Sequence, residues 1–422
     1  MKGKRWTLSL VALLTLFLVV TSVAYAQTTE VLKVGVPNGY TGSGASSGLP
    51  TLKAYKIQAD ILKQHGGFTV GGKKYTLDLI QADDGYTAAG GRAAAEKLIF
   101  ADKVRFFLGP LSSAAMMGML PLVEENKIIT MTNSITTEKF KTGCRYIFQV
   151  NPQGGLVLAS QVMRIIQTNN VRKVAAFSPK DETGRQNWEQ MKTGIKQVWE
   201  KEGADRVKIV HEEFGERGQS DYTPILAKLL ATKPDFIILG AFAGEAPLIV
   251  KQSRELGYKG AFANPMSPDP KELAQVAGAQ NVYEYYSWGI VWNDLPKIDI
   301  PAKHAGIYRK LTDKFGKEPL VEFYQRYKAA YNEDPPGAIV YMLDNLPLLV
   351  LALEQANSFD ADKVVKTMES WDVWPSYYGT GVWSGDKTTY GIKHVATKSS
   401  PTFKQQGTKL ISTGFVMPEL VP

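Results

Sequence analysis

Residues 105–114 read Arg105-Phe106-Phe107-Leu108-Gly109-Pro110-Leu111-Ser112-Ser113-Ala114, and the fold turns on this stretch. A short, wholly apolar run marks a strand buried on both faces. Glycine and proline then stop it, and serines stand where a helix over 114–125 is to begin. A second stretch repeats the arrangement: Phe236-Ile237-Ile238-Leu239-Gly240-Ala241 is again a buried run closed by glycine and small residues ahead of a helix. Ligands of open α/β sheets bind beyond the carboxyl ends of the strands, so the two stretches point to one cleft between two lobes.

Working outward, β-branched runs alternate with stretches of helical spacing, the pattern of a parallel sheet covered on both faces. Strands are predicted at 31–36, 76–82, 105–108 and 128–131, with helices at 52–62, 88–100 and 114–125 between and after them. The alternation restarts after Asn151-Pro152, with strands at 174–177, 207–210 and 236–239. Beyond Trp292 helices dominate, through 302–315, 321–331, 337–356 and 360–368, before short strands return near 381–383 and 394–397. The fold class is α/β, with two doubly wound parallel-sheet lobes. Lobe 1 is expected to take 27–150 with 284–370, and lobe 2 with the hinge 151–283 with 371–422.

The first 26 residues read as a cleavable secretory signal peptide. Lys2, Lys4 and Arg5 precede an apolar run over 8–20, and Ala24-Tyr25-Ala26 supplies the small-residue cleavage pattern. That run is shorter than the roughly 20 residues a membrane span needs. The only cysteine, Cys144, lies far downstream, so a lipid anchor is not expected and no internal disulfide can form. The formal charge of +8 includes three positive charges in the leader, leaving a scattered +5. No basic stripe interleaved with aromatics suggests nucleic acid.

Motifs for catalysis are weak. Gly42-Ser43-Gly44-Ala45-Ser46-Ser47-Gly48 has the wrong spacing and place for a dinucleotide loop. Gly44-x-Ser46-x-Gly48 resembles a nucleophile elbow without the strand-to-helix turn or a partner histidine; the plainer reading is a flexible loop at the cleft mouth. His65, His211, His304 and His394 are isolated, and no metal-ligand spacing occurs. Asp83-Asp84 could hold a metal or share a proton, but one of them is expected to cap the helix near Ala88. The aromatics Tyr285, Tyr286, Trp288 and Trp292 read as core and hinge packing. The sharper feature is the pair of polar clusters, Ser112-Ser113 and Thr132-Asn133-Ser134-Ile135-Thr136-Thr137, at successive strand ends of one lobe. A helix N-terminus offers N–H groups and partial positive charge to an anion. Together the clusters would grip a carboxylate, or else serve only as helix caps.

At these residues the chain resembles the periplasmic leucine/isoleucine/valine-binding protein family, receptors of branched-chain amino acid ABC transporters. The resemblance runs through the opening strand and its glycine-rich loop, Asp83-Asp84, the run ending at Ser113, the polar run 132–137, Gly240 with Phe242, and Val382-Trp383-Ser384-Gly385-Asp386. It implies two α/β lobes joined by three crossing strands, with ligand between them. It also implies a carboxylate held at Ser113, Ser134 and Thr136, with Ser112, Ile135, Thr183, Phe242, Met266 and Ser47 lining the site. Family members place an acid for the ligand ammonium near Asn264-Pro265-Met266-Ser267, where this chain has Met266. Aromatics expected near Ser47 and Thr183 are also replaced. A buried ammonium without partners is costly, so an amine-free aliphatic or aromatic acid is expected, unless Asp269 or Glu245 serves from a shifted loop. The resemblance therefore implies a periplasmic, non-enzymatic, monomeric receptor that takes no cofactor and docks transiently on a membrane permease. A sensory receptor without transport, or a secreted hydrolase using Ser46, are the alternatives.

Overall fold

Successive side chains of a strand point to opposite faces, and both apolar runs are buried on both. Phe106 and Leu108 enter one core while Phe107 enters another; Phe236 and Ile238 likewise part from Ile237 and Leu239. Two sheets result, each with a core on either side. The computed structural model describes residues 29–416 except 142, 153, 241–243, 266–267, 296–297, 299 and 386–390, so the expected leader lies outside the described residues.

The centre of the first sheet is parallel, in the spatial order Ile147–Gln149, Ile129–Thr132, Phe106–Leu108, Glu30–Asn38, Lys73–Asp83. The chain moves from Glu30–Asn38 to Lys73–Asp83 on one side, then to Phe106–Leu108 on the other. That reversal opens a crevice at the carboxyl ends of Glu30–Asn38 and Phe106–Leu108, where an open α/β sheet binds its ligand. In the second sheet the parallel order is Tyr285–Trp288, Ala261–Ala263, Phe236–Leu239, Lys173–Pro179, Lys208–Gly215. Its reversal falls between Lys173–Pro179 and Phe236–Leu239. The two stretches singled out in the sequence thus occupy equivalent places in the two lobes.

Among the described residues the chain crosses between the sheets three times. It crosses after Ile147–Gln149, again after Tyr285–Trp288, and finally at residue 399, between Val395–Lys398 of the first sheet and Ser400–Gln406 of the second. The crossings are bonded to one another or to their neighbours: Gly289 N donates to the Pro401 carbonyl at 2.9 Å, and Gln149 N to the His394 carbonyl at 2.8 Å. The lobe boundaries differ from the sequence reading in two places. Tyr285–Trp288 belongs to the second sheet, and Trp374–Ser376, Gly379–Ser384 and Val395–Lys398 complete the first. Short strands do not announce which sheet they join. Here Trp374 and Trp383 fill the first core beside Phe148, and Val395 pairs with Gln149.

A buried ion pair sits beside the third crossing. Lys398 Nζ meets Asp344 Oδ2, with both side chains almost wholly enclosed. The same carboxylate accepts from Ser376 Oγ at 2.7 Å and Tyr377 N at 2.8 Å, so its charge is fully answered.

Two local expectations are corrected. The glycine-serine segment is not a loop: Gly42–Gly44 forms a 3₁₀ turn that runs into the helix Ala45–Gln64. Gly44 and Gly48 lie one turn apart on the face that presses on Gly39. A Cβ on Gly48 would collide with the Gly39 carbonyl, and one on Gly44 would lie 2.8 Å from Tyr86 Cδ2. Close approach, not flexibility, is what these glycines provide. The helix Ala88–Glu96 is capped by Thr87, whose side chain accepts from Gly90 N, and neither aspartate caps it. Asp83 instead accepts from Tyr40 N, Thr41 Oγ1 and Gly85 N, fixing the entry to the first helix. Asp84 is fully buried; its Oδ1 accepts from Tyr86 N at 2.8 Å while Oδ2 has no protein partner. Burial, with Asp83 adding to it, raises its carboxyl to about 6.

Two outcomes follow. Asp344→Ala, which strands the Lys398 ammonium in the core, will cost on the order of 3–5 kcal/mol and lower the thermal midpoint. The double variant Asp344→Asn/Lys398→Met will recover much of that loss; a single-variant midpoint equal to wild type would remove the ion pair's structural role. For Asp84 the folded chain keeps a proton that the unfolded chain has released, so stability falls as pH rises from about 4 through 6. Asp84→Asn should therefore stabilise at pH 7.5 by about 1–2 kcal/mol, with the gain vanishing near pH 4 in thermal melts.

Candidate functional site

At the first reversal, strand ends must find partners for backbone groups that have left the ladder. Asn38, buried, accepts the Leu111 amide on its side chain at 2.9 Å and the Asp84 amide on its carbonyl at 3.0 Å. The Pro110 carbonyl takes Thr132 Oγ1 at 2.8 Å and Asn133 N at 3.2 Å, and Thr132 Oγ1 accepts in turn from Ser134 N at 3.0 Å. These bonds sew the 109–113 and 132–137 loops together. Their product is a hydroxyl pair: Ser134 Oγ lies 3.4 Å from Ser113 Oγ, at the first turn of the helix Ser113–Glu125. The opening turn of a helix leaves amides without intrahelical partners.

Ser112 has a different place from its neighbour. It caps the helix, accepting from Ala115 N at 3.1 Å and donating to the Tyr86 carbonyl at 3.3 Å. Ser134 is fully buried and Thr136 nearly so, with Thr136 Oγ1 accepting from Glu138 N at 3.3 Å; Ser113 and Ile135 are half-buried. Ser47 is exposed on the helix Ala45–Gln64, its carbonyl accepting from Thr51 Oγ1. On the second lobe, Phe242 and Met266 lie outside the described residues, as does the side chain of Thr183; so does the side chain of Ser46 on the first. The backbone of Thr183 belongs to the helix Glu182–Glu202, which Asp181 caps through Gly184 N. Gly240 ends the second apolar run where a Cβ would collide with Ser178 Oγ.

Two residues at the site, Lys139 and Tyr341, escape the sequence reading. Lys139, within the short turn Glu138–Lys141, is completely buried beneath the 132–137 loop. Its ammonium donates to the carbonyls of Ser134, at 2.9 Å, and Thr136, and to Gln149 Oε1 at 2.8 Å. Nothing in Glu138-Lys139-Phe140-Lys141 separates this lysine from a solvated one. Tyr341 and Trp288 form the second feature. Their rings stack at 3.6 Å, and Tyr341 Oη donates to the Trp288 carbonyl at 2.8 Å. The Tyr341 carbonyl accepts from Asn133 Nδ2 at 2.9 Å, and Trp288 Nε1 donates to the Pro265 carbonyl at 2.6 Å. A bonded path thus leads from the residue before Ser134 to the residue before Met266. Aromatic packing is expected at Trp288 from the sequence; its partner, far along the chain, is not.

The acids near the second reversal are occupied. Asp269 caps the helix Pro270–Ala277 through Lys271 N and Glu272 N. Glu245 accepts from Gly218 N at 3.2 Å and lies 3.8 Å from Arg217, which also pairs with Asp181 at 2.5 Å. The field of Arg217 reaches the first lobe. Burial and Asp84 raise the Tyr86 hydroxyl, and Arg217 opposes them. Among the described residues no cluster of three or more His, Cys, Asp or Glu side chains is arranged to hold a metal, and no helix is long and apolar enough to cross a membrane.

Comparison with known proteins bears on the family and the fold. An amino acid binding protein of Pseudomonas aeruginosa is 26% identical over 249 residues, covering 58% of this chain and 63% of that protein's length. A branched-chain amino acid transporter substrate-binding protein from Streptococcus pneumoniae, solved with isoleucine, superposes with a TM-score of 0.68 at 18% identity, over 92% of this chain and all of the other. An ABC-transporter solute-binding protein of R. palustris, solved with benzoate, gives 0.68 at 17% identity over 93% of this chain and 98% of that one. These relatives are binding proteins. The family model described as periplasmic binding protein matches residues 31–394, and the chain belongs to that family.

Proposed function

We propose that this protein is the substrate-binding component of an ABC transporter of the branched-chain amino acid type. It works outside the cytoplasmic membrane as a monomer, captures one small carboxylate between its lobes and hands it to a membrane permease. The observation that carries the reading is the Ser113–Ser134 hydroxyl pair, 3.4 Å apart at a helix N-terminus on the sheet reversal. Hydroxyls and helix-end amides converging there offer a carboxylate several donors and a favourable dipole. Thr136 joins them, with Ile135 beside it.

The ligand we favour carries no amine. Glu245 and Asp269, the acids that would have to meet an ammonium, already serve an arginine and a helix cap, and Met266 stands where relatives of the resembled kind carry an acid. Phe242 and Met266, assigned to the site by the resemblance, are apolar residues suited to an aliphatic or aromatic acid. The relatives solved with isoleucine and with benzoate bracket this choice. Periplasmic binding proteins close by hinge motion of their two lobes around a ligand, and a ligand touching both lobes has the differential affinity that closure requires.

Thermal shift against leucine, valine, 4-methylpentanoate, benzoate and 4-hydroxybenzoate tests the ligand class, because a ligand that binds only the folded state raises the midpoint. The amine-free acids are expected to stabilise most; a response to leucine or valine alone would overturn the preference. By calorimetry with the best acid, Ser113→Ala and Thr136→Ala should each weaken binding by about 1–2 kcal/mol. Unchanged affinity in both would remove the clamp.

A further inference from the structure

We propose that Trp288 is a positioning residue of ligand capture that sets how long a ligand the cleft accepts, an inference that rests on the carboxylate reading above. In the second lobe the turn between the strand Ala261–Ala263 and the helix Pro270–Ala277 includes Met266, one of the residues assigned to the ligand. The strand Tyr285–Trp288 holds the start of that turn. Asn264 N donates to the Tyr286 carbonyl at 3.0 Å, Asn264 Nδ2 to Tyr285 Oη at 2.9 Å, and Ser287 Oγ to the Asn264 carbonyl at 2.7 Å. Trp288, at the end of the strand, adds the next anchor through Nε1 to the Pro265 carbonyl at 2.6 Å. The far end of the turn is fixed as well: Asp269 caps its helix, and the Pro270 carbonyl accepts from Gln405 Nε2 at 2.7 Å.

Trp288 differs from these anchors because it also engages the first lobe. Its ring stacks on Tyr341 at 3.6 Å with the planes 22° apart, and its carbonyl accepts from Tyr341 Oη at 2.8 Å. The Tyr341 carbonyl in turn accepts from Asn133 Nδ2 at 2.9 Å. Asn133 Oδ1 accepts from Asn345 Nδ2 at 2.6 Å, so the asparagine amide is held on both sides. Aromatic side chains have few rotatable bonds, and hydrogen bonds weaken steeply when bent. The residue before Ser134 is therefore joined to the residue before Met266 by parts that yield little. Such a connection sets the distance between the two loops that a ligand has to bridge. A ligand held by the first-lobe loop then meets the second-lobe turn at a fixed separation, and close-packed walls reject an added methylene. The class selected is a small acid of one chain length, with or without an amine.

The test measures binding to the full chain by calorimetry, using acids that grow by one methylene at a time. The series are the straight-chain acids from propanoate to octanoate, their 2-amino counterparts, and benzoate, phenylacetate and 3-phenylpropanoate. In the series that binds best, wild type should prefer one length and bind the next longer acid about tenfold less tightly. Trp288→Phe keeps a ring on Tyr341 and removes the bond to Pro265; there the ratio should fall below about threefold as the longer acid is admitted. Tyr341→Phe keeps the stack, removes the bond to the Trp288 carbonyl and should move the ratio in the same direction. The ratio is the readout because a general loss of stability weakens neighbouring members of a series alike. A wild-type ratio retained in Trp288→Phe, or a wild type without a preferred length, would overturn this inference while leaving the carboxylate reading intact. If Trp288→Phe does not fold, a ratio retained in Tyr341→Phe overturns it. Should no member of any series bind wild type, the carboxylate reading fails and this one with it.

Discussion

Parallel strands that stop at a sheet edge strip their last amides and carbonyls of ladder partners, and a buried backbone group left unpaired costs free energy comparable to a lost hydrogen bond. At the first reversal that demand is met by a few side chains and two backbone carbonyls. Asn38 holds the amides of Leu111 and Asp84, and the Pro110 carbonyl gathers Thr132 and Asn133. Lys139 gathers the carbonyls of Ser134 and Thr136. The candidate site is what remains once these obligations are satisfied: the hydroxyls of Ser113 and Ser134, and the amides of a helix start. Structural need and binding capacity are therefore hard to separate there by inspection of any one residue.

Among the described residues, contacts of unlike kinds couple the lobes. The Trp288–Tyr341 stack is apolar and tolerant of small rotations, while the hydrogen bonds at its edges, to Asn133 and to Pro265, are directional. Tyr341 packs against the principal core of each lobe, and Asn345 ties its neighbourhood to Asn133 Oδ1 at 2.6 Å. Rearrangement at the cleft would thus be felt first by directional bonds around an aromatic pivot. Beside the third crossing, by contrast, the Lys398–Asp344 pair fixes the end of the first sheet, because separating buried partners exposes two uncompensated charges.

Much of the architecture is legible because burial on both faces leaves a plain mark: Phe106 to Leu108 and Phe236 to Leu239 could hardly be surface. The serine and threonine clusters are legible for a similar reason, since their residue types match what a helix start demands. What fails to show is decided at long range. Membership of Gly379–Ser384 in the first sheet depends on pairing with Val395–Lys398, and Gly44 and Gly48 are explained only by the Gly39 backbone across from them. Lys139 and Asp84 are hidden in the same way. A charged residue in a polar neighbourhood of sequence is ordinarily solvated, and its burial follows from which loop folds over it.

The enclosure of Cys144 has a practical side. The chain has a single thiol, and that thiol is buried and held toward its unreactive protonated form, since the thiolate is the species that alkylating reagents attack. A cysteine introduced on an exposed rim of either lobe would be the one group labelled by a maleimide dye. The native scaffold thus arrives ready for conversion into an optical reporter of its own ligand, with no background thiol to remove.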